Sequence, residues 1–285
     1  MKKLDMHIHL GLTNEVGDDI LDRMDSCGLS GGCIFSPPPD AFGGDLRQRL
    51  DAVLDFVKGR EDRLFPVLWI HPYEPDILAG IDLAVAQGIV GFKIICSDFL
   101  VSEPQCIHIL RHIAAKNKPV FFHSGILWDG KISSENNRPL HFEALLDVPG
   151  LRFSMGHCSW PWHDECLALY GKYLNALQCR PDAAEMFLDI TPGTPEIYRE
   201  DLLRKLFYIG YDTHNNILFG TDCSGENYSV QWAEKWLALD GQIMDKLNIS
   251  QPLRQKLYWD NVLRFLGKTS TPISHKIPTP DQASI

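Results

Sequence analysis

Residues 5–9 read Asp5-Met6-His7-Ile8-His9. Alternate side chains of an extended strand share a face, so His7 and His9 point together and two imidazoles can reach one ion. The apolar segment around them spans 4–10, and seven more follow at steady intervals: 32–36, 64–71, 90–96, 120–124, 152–158, 186–191 and 217–223. Each is a β-branched or aromatic-rich run ending in polar or Gly/Pro residues, the mark of a strand. Metal-site residue types fall at the C-terminal ends of four of the seven, as Lys93, His123, His157 and Asp222. Amphipathic stretches of helical period lie between the strands. Leu46, Leu50, Val53, Leu54 and Val57 mark one apolar face, Ile81, Leu83, Ala84 and Ala86 a second, and Ile107, Leu110, Ile113 and Ala114 a third. Strand alternating with helix predicts a parallel sheet, and eight such units predict an α/β fold, a single-domain (β/α)8 TIM barrel. The C-terminal strand ends of such a barrel converge on one mouth, where catalytic residues gather.

The chain has 285 residues, 45% of them hydrophobic, enough for one large core. The barrel is expected over 1–267. A short irregular C-terminal tail, 268–285, carries Thr269-Ser270-Thr271-Pro272 and Pro278-Thr279-Pro280 and is expected to be a surface extension or a subunit contact. A net charge of -10 with no Lys/Arg cluster argues against nucleic-acid and acidic-membrane partners, which need a concentrated cationic face. No apolar stretch near Met1 reaches the length of a signal core, so the expected location is cytoplasmic. The eight cysteines include no CxxC pair, which favours reduced buried thiols over disulfides or a cysteine zinc cluster. Cys158 and Cys223, each next to a candidate ligand, read as fillers beside the site before they read as nucleophiles.

Imidazole with carboxylate suits zinc, iron or manganese. The order HxH, Lys, His, His, Asp along strands one, four, five, six and eight resembles the amidohydrolase superfamily. Gly220-Thr221-Asp222, Gly156-His157 and Trp259-Asp260-Asn261-Val262-Leu263 are similar to its amidohydrolase-related branch, amidohydrolase family 2, with the likeness running over 1–267. The resemblance implies that His7, His9, His123 and Asp222 hold a divalent metal, with zinc first. It makes His157 either a ligand of a second metal or a catalytic histidine. Lys93, in Gly91-Phe92-Lys93-Ile94, resembles the lysine that binuclear members carboxylate to bridge two metals. A protonated lysine has donors and no lone pair, so without that modification Lys93 would anchor substrate or form a structural ion pair. The branch holds mononuclear and binuclear enzymes, leaving one or two ions open, and it makes a homodimer plausible.

Three further residues are candidates for contact with a small-molecule substrate. His71 closes the third strand, where it could line the pocket or support the ligands. Arg138 lies with His141 in the long connection 125–151, where it could clamp a carboxylate. Trp160 follows the sixth strand with Trp162 and His163 and could form an aromatic wall. A short helix is expected around residues 141–146. His108, His112, His214 and His275 fall on helical or tail positions and receive no role. The expected activity is a metal-dependent hydrolase in which a metal-activated water attacks the carbonyl of a small anionic amide, ester or lactone, with Asp222 moving the proton. The alternative within the branch is a non-oxidative decarboxylase of an aromatic or unsaturated acid, with Trp160, Trp162 and Tyr228 around the ring. A second alternative is a barrel that binds metal without catalysis.

Overall fold

The computed structural model describes residues 1–11 and 20–269. The tail from 270 onward, with His275, lies outside the described residues. Nine strand segments run in the order of the chain: β1 (Asp5–His9), β2 (Gly32–Phe35), β3 (Leu64–Trp69), β4 (Gly91–Ile94), β5 (Val120–Phe122), β6 (Arg152–Met155), β7 (Glu185–Asp189), β8 (Ile217–Leu218) and β9 (Cys223–Ser224). Every pairing is parallel, in the spatial order β8-β7-β6-β5-β4-β3-β2-β1-β9. The two ends of that order, β8 and β9, are halves of one stretch of chain. Between them Phe219 accepts a backbone hydrogen bond from Met6 (3.0 Å), and Asp222 donates to the carbonyl of His7 (2.9 Å). The result is an α/β, TIM-barrel-like fold, and the expected eighth strand is present but interrupted at residues 219–222.

Helices cover the outside: α1 (Ile20–Ser26), α2 (Leu46–Val57), α3 (Ile77–Ala86), α4 (Pro104–Ala115), α5 (His163–Cys179), α6 (Arg199–Tyr208), α7 (Val230–Lys246), α8 (Gln251–Gln255) and α9 (Asn261–Phe265). Their starts follow local chemistry. Asp45 caps α2 by accepting from Gln48 N, Ser229 caps α7 by accepting from Trp232 N, and Pro104 fills the first turn of α4, where no N–H is needed. Leu50, Val53, Phe56 and Val57 of α2 are buried in a large core that also takes in Ile8, Ile34, Leu64 and Leu68 from the sheet. The segment expected as a short helix near residue 141 is a 3-10 helix over Pro139–Asp147.

A second, smaller core contains Met6, Cys33, Phe35, Phe65, Val67, Phe121, Phe187 and Leu218, with Val262 and Phe265 of α9 packed among them. Strict alternation would put Met6 and Ile8 on one face of β1, yet they belong to different cores. The reason is an irregularity in β1 between Asp5 and Ile8, where three residues pass two of β2. Such a bulge re-aims side chains and is common beside active sites. His7 lies within the irregular stretch, yet its ring still converges with that of His9, Nε2 to Nε2 at 3.1 Å. No helix among the described residues is long and apolar enough to cross a membrane.

Candidate metal centre

His7, His9 and Asp222 converge so that one ligand atom from each lies within 4.8 Å of the others. His7 Nε2 stands 3.1 Å from His9 Nε2 and 3.6 Å from Asp222 Oδ1, and His9 Nε2 is 3.2 Å from the same oxygen. The other nitrogen of His7 fixes its tautomer. A carboxylate can only accept, so His7 Nδ1–H donates to Asp189 Oδ2 at 2.9 Å and Nε2 keeps its lone pair for the site. Burial pushes the His7 imidazole down to about 3, helped by Lys93 and opposed by Asp189. Burial also lowers His9, against its hydrogen bond to Asp222. For Asp222 burial alone would raise the carboxyl, but the His9 contact and the His7 and His157 rings hold it well below the usual range. Two neutral imidazoles and an ionised carboxylate are the protonation states that metal binding requires, so these residues fit a divalent cation.

Backbone geometry delivers these groups. Asp222 has φ 62° and His157 φ 57°, left-handed values that cost energy for residues other than glycine and collect at functional sites. Gly220 is required by contact: a Cβ there would stand 2.3 Å from Thr191 Oγ1 and 2.6 Å from His7 Cβ. At Gly193 a Cβ would meet the His157 ring at 2.5 Å.

The other predicted strand-end residues surround this trio. Lys93, on β4, is buried, with Nζ 3.4 Å from His7 Nε2 and 5.1 Å from the centre of the Phe35 ring. Burial brings its ammonium down to about 8, against the pull of Asp189 and Asp222. The His157 ring lies 5.4 Å from that of His7 and 5.1 Å from that of His123. His157 Nδ1 faces the Thr191 carbonyl at 3.2 Å, which makes it the protonated nitrogen and leaves Nε2 free to accept. His123 Nε2 is 3.2 Å from the Ile126 carbonyl, and its imidazole is held well below its ordinary value by burial and then by His157 and Lys93.

All six residues line a cavity of about 260 Å³ together with Trp128, Asp129, Trp160 and Gly193. Trp128 stacks on Trp160 at 6.2 Å with planes 14° apart. His71 and Arg138 are not among the lining residues. His71 Nε2 pairs with Asp98 at 2.9 Å, while Arg138 is held by Glu165 at 3.1 Å and lies over Trp162. Their chemistry is taken up by neighbours outside the cavity. Tyr228 is buried with its hydroxyl on Asp5, and so is no ring wall either.

Sequence reasoning passed over Asp189, Asp5 and Trp128. Asp189 ends β7, so the strand-end rule that selected the others applies to it equally. Trp128 sits in an irregular loop that carries no periodic signal. All eight cysteines are free and seven are buried as expected, whereas Cys179 at the end of α5 is exposed; burial pushes the Cys158 thiol far up and that of Cys223 to about 11, which suits fillers.

The amidohydrolase family profile matches residues 39–268, and the chain belongs to that family. Solved structures share its fold at low identity. A probable 2-pyrone-4,6-dicarboxylic acid hydrolase from Acinetobacter baumannii, with citric acid bound, superposes with TM-score 0.64 at 14% identity, covering 94% of this chain and 100% of that one. The 2,6-dihydroxybenzoate decarboxylase from Rhizobium gives 0.64 at 14% identity, covering 94% and 98%. A dihydroxybenzoic acid decarboxylase from a Polaromonas species, with manganese and 2-nitroresorcinol bound, gives 0.61 at 14%, covering 93% and 97%. A shorter stretch is similar to a ferrochelatase of Pectobacterium atrosepticum, 30% identical over 82 residues, which span 29% of this chain and 24% of that protein.

Proposed function

We propose that the protein is a metal-dependent hydrolase of a small carbonyl compound, with His7, His9 and Asp222 holding a divalent ion and zinc as that ion. The observation that carries the reading is Lys93, a buried amine whose Nζ faces His7 Nε2 at 3.4 Å. Carboxylation of Lys93, in which the neutral amine adds carbon dioxide and releases a proton, would turn this donor into an oxygen ligand and complete a two-metal site with His123 and His157. When bound, such an ion supplies a nucleophilic water at neutral pH and polarises the substrate carbonyl. Asp222, open to the cavity, accepts the proton from the attacking water and passes it to the leaving group. With no second ion on it, His157 would instead leave Nε2 free to act as a base. Trp128 and Trp160 shield one side of the cavity from water.

One observation favours decarboxylation of an aromatic acid as a second reading. The paired faces of Trp128 and Trp160 suit a flat ring, and two of the similar folds belong to dihydroxybenzoate decarboxylases. The test is metal content per chain with intact native mass, followed by lactone, ester and hydroxybenzoate panels. Two ions, a carbon dioxide adduct on Lys93 and opening of a lactone or ester support hydrolysis. One ion, no adduct and release of carbon dioxide from hydroxybenzoates would replace it with the second reading.

A further inference from the structure

Asp5 stands behind the candidate metal centre rather than in it. Its carboxylate is fully buried and accepts four hydrogen bonds. Oδ1 takes the backbone N–H of His7 (3.1 Å) and of Thr221 (2.9 Å), while Oδ2 takes the hydroxyls of Thr221 (2.5 Å) and Tyr228 (2.7 Å). Both backbone donors sit at irregularities. His7 lies within the bulged part of β1, and Thr221 leads into the left-handed step at Asp222. One oxygen of Asp5 therefore ties the backbone of β1 at His7 to Thr221, a residue 216 positions from Asp5 in sequence. Trp232 Nε1 donates to the Thr221 carbonyl at 2.8 Å and fixes the same residue from its other side.

We infer that Asp5 is a positioning residue for the metal centre, setting the approach of Asp222 to His7 and His9 through Thr221 and the bulge. The inference rests on the reading of those three residues as a metal site. A neutral isostere cannot take the place of the carboxylate. Asparagine would keep one acceptor for the two N–H groups but turn an amide donor toward the Thr221 and Tyr228 hydroxyls, both of which donate to that oxygen of Asp5. Hydrogen bonds to an ionised group are also about twice as strong as neutral ones.

The experiment loads the wild type, Asp5→Asn and Ile8→Val with cobalt(II). It records the visible absorption of the bound ion, the rate of its release to a chelator, and the melting of the metal-free proteins. Ile8 is buried on the same strand in the large core, so Ile8→Val reports lost packing alone. Expected for Asp5→Asn are altered cobalt bands and release about 10- to 100-fold faster, the usual effect of losing an outer partner of a ligand. Ile8→Val should melt lower with both cobalt readouts unchanged. Tyr228→Phe keeps the carboxylate, removes one donor and should show a smaller change in the same direction, which supplies the answer if Asp5→Asn does not fold. Wild-type bands and release rates in a folded Asp5→Asn, or in Tyr228→Phe where Asp5→Asn fails to fold, would overturn the inference while leaving the metal site standing. A wild type that takes up no cobalt overturns the metal reading itself, and the inference with it.

Discussion

The two sides of the cavity are built differently. On the side of β1, β7 and β9, the groups that back the ligands are buried: Asp189 fixes His7, and Asp5 joins the backbone of His7 to Thr221. On the side of the β5 and β6 loops stand Trp128, 77% exposed, and Trp160, which touch each other and the open mouth. The contrast separates tasks. Ligand atoms must be held to within fractions of an ångström, which rigid strands with outer partners provide, whereas a substrate wall tolerates variation in a loop. Changes on the first side should therefore alter metal binding and turnover together. Changes on the second should alter substrate affinity alone.

The largest expected effect comes from removing the ion. Dialysis against a strong chelator should abolish turnover, and zinc should restore it. At one hundred times its dissociation constant a ligand specific for the folded state adds about 2.7 kcal/mol of stability, so the metal-free protein should also melt lower. Activity that survives with no detectable metal would collapse the distinction between the two sides. Next comes Asp222→Asn, which keeps the shape of the residue but removes its charge and its ability to carry a proton. Turnover should fall about 10²- to 10⁴-fold, the range for loss of a general acid-base group, with the far-ultraviolet dichroism unchanged.

Asp189→Asn acts one step further out. It weakens the anchor on His7 Nδ1, so metal affinity should drop about 10- to 100-fold, measured by competition with a chromogenic chelator. Unchanged affinity would make Asp189 a packing residue and leave the His7 tautomer to the strand alone.

The same contrast explains what the sequence reveals. His7, His9, Lys93, His123, His157 and Asp222 are legible because a strand end is a local feature: an apolar run, then a polar residue. Asp5 has no such signature. Its partners are set by a bulge and by the register between strands at opposite ends of the chain, neither of which is encoded in one segment. The eighth strand reads as continuous, since nothing in 217–223 announces that Asp222 turns left-handed. Arg138 and His71 show the limit from the other direction. Their types suit anion binding, but whether a neighbouring carboxylate already occupies them depends on Glu165 in α5 and Asp98 after β4.

The loop side supplies the smaller effects. Trp128→Ala removes the stacking partner of Trp160, and an aromatic pair is worth about 0.5–1.5 kcal/mol beyond its buried area. For a planar substrate KM should rise about 2- to 10-fold at constant kcat and constant metal content. A fall in kcat with loss of metal would show that the wall supports the ion as well, and the two sides would no longer be separable.

Arg138→Ala gives the smallest change and the sharpest check on what occupies the substrate end. Were Arg138 a carboxylate clamp, its loss would raise KM for an acidic substrate by the worth of a charged hydrogen bond, about 1.5–3 kcal/mol, or roughly 10- to 150-fold. In the structure its guanidinium already faces Glu165 and Glu135 and lies across Trp162, away from the cavity lining. Partly exposed pairs of this kind contribute about 0–1 kcal/mol to stability. The expected outcome is a slightly lower melting temperature with KM within about twofold of wild type, since a contact that substrate does not make cannot be lost from the transition state. A large rise in KM confined to anionic substrates would mean that Arg138 leaves Glu165 when substrate enters, and would move the loop side from a passive wall to a charged one.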